Sequence, residues 1–152
     1  MSTPKFLESL LEEWEKDSVI DDNNLDLATV ATAKMHAKYL KILSKHKLLL
    51  RNAELEQKTL LKDKYLYYEG KMCKEDIDAR GWSYDPYDGL TVKTNKFKEH
   101  YYETDAEIQQ SEAKLCLLQN IIDVAKEILD TLRWRHQTIK NLIEAKKMND
   151  GY

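Results

Sequence analysis

The stretch KMHAKYLKILSKHKLLLRNAELEQKTLLKDKYLYYEG, Lys34 to Gly70, decides how the rest of the chain is read. It has no proline, and its only glycine is its last residue. At about 100° per residue, one side of a helix collects Ala28, Ala31, Met35, Tyr39, Ile42, Leu49, Ala53 and Leu60. Basic residues border that side. Lys34, Lys38, Lys41 and Lys45 form one stripe, and Lys47, Arg51, Lys58 and Lys62 form a second further round. From Lys34 to Lys64, nine Lys or Arg stand against three acids, a local charge of +6 in a chain of net charge -3, so the remainder carries -9. The charge is segregated.

A cationic stripe beside an apolar seam is by its spacing alone first of all the flank of a coiled coil, and only second the electrostatic footprint of a nucleic-acid surface. The end of the stretch adds a second signal. Lys62 and Lys64 directly precede Tyr65, Tyr67 and Tyr68, so cations for phosphate stand beside aromatic faces on which unpaired bases can stack. A duplex offers no free base faces, so the mixture favours a single strand. The competing reading packs Tyr67 and Tyr68 against a partner helix.

Composition narrows the fold. Charged residues make up 34% of the 152 residues, with only four Gly and two Pro, which suits long helices rather than sheets in a single helical domain over 1–152. The first apolar group, Phe6, Leu7, Leu10 and Leu11, is interrupted by Glu8, Glu12 and Glu13, so neither a signal peptide nor a membrane span is expected. The expected location is cytoplasmic. Cys73 and Cys116 are too few for a disulfide framework. His36, His46, His100 and His136 lack metal-ligand spacing and read as surface or seam residues, so no metal or cofactor is expected.

In chain order, residues 1–17 read as a short acidic helix, with Thr3 as N-cap and Pro4 in the first turn. Phe6, Leu7, Leu10, Leu11 and Trp14 give it a narrow apolar face that the same chain or another protein must cover. Ser18 to Asn24 breaks the pattern. A long basic helix then occupies 22–70, stopped by Gly70. Residues 71–103 read as an irregular loop anchored by Trp82, followed by a short helix capped by Thr94 and carrying Phe97, Tyr101 and Tyr102. Thr104 and Glu107 match a capping box for a last helix over 104–148.

That last helix has the strictest periodicity. Leu115, Leu118, Ile122, Ala125, Leu129, Leu132, His136, Ile139 and Ile143 alternate steps of three and four, and Ile121, Ile128 and Leu142 widen the seam. A seven-residue repeat over four heptads calls for a supercoiled partner. The expected fold is therefore all-α. A short N-terminal helix is joined by two long helices forming an antiparallel coiled-coil-like hairpin across the long loop, with spare apolar surface covered by other subunits. No glycine-rich phosphate loop, nucleophile elbow or metal spacing marks an enzyme.

Six segments then carry a resemblance: WEKDSVID (Trp14 to Asp21), HAKYL (His36 to Leu40), LLKDKYLYYEGK (Leu60 to Lys71), RGW (Arg80 to Trp82), DAEIQ (Asp105 to Gln109) and RWRHQTIKNLIEAKK (Arg133 to Lys147). In this order and spacing the chain resembles the UvsY family of recombination mediators of tailed bacteriophages. The resemblance implies a non-enzymatic protein in the cytoplasm of an infected bacterium. Such a protein binds single-stranded DNA, displaces the phage single-strand-binding protein and loads the phage RecA-like recombinase. It also implies a ring-like homo-oligomer, a hexamer or heptamer, held by the C-terminal helix through Leu118, Ile122, Leu129, Leu132, Ile139 and Ile143. The family's Leu-Lys-x-Arg element and tyrosine pair fall on Leu61, Lys62, Lys64, Tyr67 and Tyr68, with lysine at the arginine position, which keeps the charge but loses bidentate geometry. The expected strand-contacting residues are Lys58, Lys62, Lys64, Tyr67, Tyr68, Lys41, Lys45 and Arg51. The alternative from residues alone is a coiled-coil scaffold or chaperone that binds no nucleic acid.

Overall fold

In the computed structural model, which describes residues 2–91 and 94–151, the described chain is all-helical and contains no strand. Its elements are α1 (Thr3–Asp17), α2 (Leu25–Tyr68), α3 (Lys74–Arg80), α4 (Asn95–Glu103) and α5 (Ala106–Asn149). The short α3 lies in the stretch that the sequence presents as irregular. Among the described residues no helix is long and apolar enough to cross a membrane.

Local chemistry explains most helix ends. Ser2 occupies the N-cap of α1, one residue before the expected Thr3, and proline stands in the first turn. The Asp21 carboxylate accepts from the Asn23 amide and the Asn24 side chain just ahead of α2. Gly70 ends α2 at φ 70°, with the Lys71 amide donating to the Leu66 carbonyl and its own amide to Tyr67. Gly81, at φ 73°, closes α3 by the same pair of bonds. Both positions use the left-handed conformation that glycine adopts without a Cβ penalty. Thr94 caps α4 as expected, accepting from the Phe97 amide. The N-cap of α5 is Asp105 and not Thr104, because the Asp105 carboxylate accepts from the Glu107 and Ile108 amides.

The helices contribute to two compact units, Met1–Leu49 with Leu117–Tyr152, and Leu50–Cys116. In the first unit the opening turn of α2 lies beside Ile143 and Lys146, while Thr32 and His36 lie beside Leu132 and His136. The two helices therefore run in opposite directions within it. Its core holds Leu10, Leu25, Tyr39, Leu43, Leu118, Ile121, Ile122, Ala125, Ile128, Leu129, Leu132 and Ile139. Each large apolar side chain buried there contributes about 1.5–3 kcal/mol relative to exposure. In the second unit, the ion pairs Glu56–Lys114 at 3.7 Å and Lys64–Asp105 at 2.9 Å again set α2 against α5 in opposite directions.

Most of the apolar face of α1 is covered by its own chain, with Leu11 left 48% exposed. Leu10 is 2% exposed, Phe6 stacks on His46 at 4.7 Å, and Trp14 meets Tyr39 edge-on at 5.6 Å. Asp17 closes this corner by accepting from Lys38 at 2.7 Å and from the Tyr39 hydroxyl at 2.8 Å. Burial pushes the Asp17 carboxyl up, but these bonds outweigh it and hold the group below the usual carboxylate range.

Three sequence expectations shift here. Leu118, Ile122, Leu129, Leu132 and Ile139, expected to join subunits, are buried within the single chain, and Ile143 is half-buried. Helices α1 and α2 already cover that seam. His136 is exposed, and Arg135 takes the buried position, its guanidinium donating to the carbonyls of Asp17, Ser18 and Val19 at 3.0, 3.2 and 3.3 Å. A cation at the negative end of α1 outcompetes an imidazole for that place. Leu49 is 41% exposed while His46, seven residues after Tyr39 and so on the same face, is buried under the Phe6 ring with Nδ1 bonded to the Ile42 carbonyl.

Replacing Arg135 by alanine strands three helix-end carbonyls and should lower the unfolding free energy by about 3 kcal/mol in urea. The neighbouring Trp134 is 68% exposed. Lys140, on the same helix, is also exposed, and its replacement by alanine should change stability by no more than about 0.5 kcal/mol.

Candidate nucleic-acid interface

Within the Leu50–Cys116 unit, the outward face of α2 carries Arg51, Lys58, Lys62 and Tyr65, at successive steps of seven, four and three. These steps keep all four on one side of a helix. All are exposed, Tyr65 to 57%. The result is a row of cations ending on a free aromatic ring. Asp63, which the sequence places between Lys62 and Lys64, is taken up chiefly by Arg80, whose Nη2 and Nε donate to it at 2.6 and 3.2 Å, while the exposed Lys62 ammonium stands 3.5 Å from its other oxygen. Those bonds hold the Asp63 carboxyl below the usual range, and the guanidinium balances its charge beside the row.

The remaining members of the expected motif point inward. Lys64 is 4% exposed, Tyr67 7% and Tyr68 9%. The Lys64 ammonium sits 2.9 Å from Asp105 Oδ2, 3.7 Å from Glu107 Oε1 and 3.9 Å above the Trp82 ring. The Tyr67 hydroxyl donates to the Ser83 carbonyl and that of Tyr68 to Asp105, each at 2.6 Å. Trp82 anchors its loop, as expected, lying 5.0 Å from Tyr67 and donating to Glu107 at 2.6 Å. The expected direct binding of a strand through Lys64, Tyr67 and Tyr68 therefore finds those groups already engaged. The reason is helical phase, since they share the packed face of α2 with the buried Ala53, whereas Lys58 and Lys62 lie on another.

Burial pushes the Asp105 carboxyl up, but hydrogen bonds from Tyr68, Lys64 and the Ile108 amide bring it below the usual carboxylate range. Burial, together with the same bond, pushes the Tyr68 hydroxyl up. Both shifts favour the ionised acid and the neutral phenol, the states the cluster needs.

In the other unit Lys41 and Lys45 are exposed on α2, as is Lys34. Lys38, the fourth member of that stripe, is held by Asp17 and by Glu13 at 2.5 Å. The spacing within the sequence already contains the signal for Tyr65. It stands seven residues after Lys58 and three after Lys62, whereas Tyr67 and Tyr68 do not fall in line with either.

The exposed row thus sets cations beside an open tyrosine, the two features that single-strand-binding surfaces combine. The family described as "Recombination, repair and ssDNA binding protein UvsY" matches residues 13–152, and the chain belongs to that family. Membership places it among recombination, repair and single-stranded-DNA-binding proteins. The fold is similar to crystal structures of the bacteriophage T4 recombination mediator protein UvsY. Lattice type II gives a TM-score of 0.76 at 23% identity, covering 95% of this chain and 98% of that one. Lattice type IV gives 0.73 at 19% identity, covering 98% and 99%. Lattice type I gives 0.75 at 20%, covering 93% and 98%. No curated protein sequence matches the chain.

Lys64→Ala leaves Asp105 buried without its cation and should cost about 3 kcal/mol in denaturant unfolding, while Lys62→Ala should stay within about 0.5 kcal/mol. The depressed Asp105 and Asp17 carboxyls contribute stability that is complete above their unfolded value, about 3.9, and lost as pH falls through the folded values. A pH series of urea melts should therefore be level down to about pH 4 and then decline. Asp105→Asn should flatten that decline while lowering stability at neutral pH.

Proposed function

We propose that this protein is a recombination mediator that grips single-stranded DNA with the exposed cations of α2. In this reading it displaces the single-strand-binding protein and loads a RecA-like recombinase onto the strand. The observation that carries it is the solvated row Arg51, Lys58 and Lys62 ending on Tyr65, in a member of a single-stranded-DNA-binding family. Lys41 and Lys45, exposed in the other unit, are further strand contacts in this reading. Lys64, Tyr67 and Tyr68 serve the interface indirectly, by fixing the rotation of α2 that turns Lys58, Lys62 and Tyr65 outward.

A few cations on one subunit make a weak, salt-labile grip, whereas several subunits on one strand act multivalently. We therefore assign the protein a ring-like homo-oligomeric state, built from antiparallel helical hairpins. With the heptad side chains used inside the chain, the surface available for assembly in the first unit is its exposed apolar set. Leu27 and Val30 on α2 are 68% and 63% exposed, and Trp134 and Met148 on α5 are 68% and 77% exposed. A strand held along such a ring is withdrawn from its single-strand-binding protein and presented to the incoming recombinase.

The test of strand binding is fluorescence anisotropy of a labelled oligothymidine and a matched duplex across a salt series. The single strand should bind better, with log affinity falling linearly against log salt. Lys58→Ala with Lys62→Ala should reduce that slope by about 1.4, near 0.7 for each phosphate that is no longer neutralised. Failure of both probes to bind at low salt would sink the reading in favour of a scaffold.

Assembly is tested separately by light scattering. Trp134→Glu should give smaller species with an unchanged helical spectrum. If the variant stays assembled, subunits join elsewhere.

A further inference from the structure

The cationic row leads into a groove. Beyond Tyr65, the last turn of α2 and the whole of α4 enclose an open cleft of about 810 Å3, inside the Leu50–Cys116 unit. That volume lies in the range of clefts that bury a small ligand, roughly 300–1,000 Å3. Tyr65 stands in its wall together with Tyr102, which meets the Tyr68 ring edge-on at 6.4 Å. Among the described residues the Tyr65 ring pairs with no other aromatic ring, and the residue is 57% exposed. An aromatic face at the end of a phosphate-binding row is where a stacked base comes to rest.

The charges in the cleft select which part of a nucleotide enters. Glu69, Glu99 and Glu103 line it against Lys96 and Lys98, and Lys98 already lies 3.4 Å from Glu69. A phosphate there would meet more anionic than cationic groups. A neutral base carrying an exocyclic amino group meets acceptors instead, since carboxylates accept from cytosine N4 and a side-chain amide such as that of Asn95, also in the lining, pairs with adenine N6 and N7. Thymine presents carbonyl oxygens where those donors would be.

We propose that this cleft is a base-binding subsite. It takes one unpaired nucleotide from the strand carried by Arg51, Lys58 and Lys62, stacks the base on Tyr65 and prefers cytosine and adenine over thymine. The phosphates stay on the cationic row outside. The proposal rests on the reading of that row as a single-strand surface and adds to it a site that senses the base itself.

The test uses the full-length protein and three labelled probes of equal length: oligodeoxycytidine, oligothymidine and an abasic sugar-phosphate. Oligodeoxycytidine should bind most tightly and the abasic chain least. Tyr65→Ala should weaken oligodeoxycytidine binding roughly five- to a hundredfold, the loss of one stacked base, and leave abasic binding unchanged. Unchanged abasic binding also reports an intact fold. Tyr65→Phe should retain the wild-type affinity, and Glu99→Gln with Glu103→Gln should shrink the ratio of cytidine to thymidine affinity.

If the wild type binds all three probes equally, or Tyr65→Ala weakens all three alike, the cleft takes no base and the proposal falls while the cationic row stands. If the two variants leave every affinity untouched, the cleft serves some other partner and the proposal falls as well. If no probe binds at low salt, the single-strand reading itself fails, and the subsite with it.

Discussion

The Asp105 carboxylate is the constraint on which the interface-bearing unit turns. It accepts four donors: the Lys64 ammonium at 2.9 Å, the Tyr68 hydroxyl at 2.6 Å, and the Glu107 and Ile108 amides at 3.0 and 3.1 Å. An ionised carboxylate offers about four lone-pair sites, so all of its accepting capacity is used. One side chain thereby starts α5, neutralises a buried cation and fixes the end of α2 against both. Because Lys64 and Tyr68 are tied there, α2 has a single rotation available to it. Lys58, Lys62 and Tyr65 face solvent as a consequence, so the orientation of the candidate strand surface follows from a bond on the far side of the helix.

The other unit is closed by a comparable device of opposite sign. Arg135 is 5% exposed and places its guanidinium on the last carbonyls of α1, while Asp17 at the same helix end receives Lys38 and Tyr39. Burying a charge is costly unless its partners are in place, and here the partners come from three helices. That demand makes the position of α1 specific. Most of the apolar stripe of α1 is consumed by this packing, and what remains outside is Leu11, 48% exposed, among the exposed acids Glu8, Glu12, Glu13 and Glu15.

The legible parts of the chain are those governed by local physics. Thr94 and Gly70 mark their helix ends because capping depends only on a side chain or a φ angle within a few residues. The all-helical class follows from sparse Gly and Pro and from two long periodic runs. Asp105 instead of Thr104, and Arg135 instead of His136, escape a reading of the sequence for a common reason. In each case a charged residue wins a buried place through partners distant in sequence, Lys64 and Tyr68 for one and the carbonyls of Asp17, Ser18 and Val19 for the other. An apolar pattern does not register such residues.

Composition, spacing and motif order are enough to establish that this protein is helical, that its positive charge is concentrated on one long helix and that its segments follow the UvsY order. None of these requires knowledge of which side chains meet. Which members of the basic and aromatic motif are free is settled by packing alone. Lys62, Lys64, Tyr65, Tyr67 and Tyr68 are near neighbours along the chain, yet 100° of helical turn per residue sends Lys62 and Tyr65 to water and the other three into the core. The face that is buried is chosen by what packs against it, here Asp105, Trp82 and the residues around them, and that choice is made by side chains as many as 43 positions away from Lys64 in sequence.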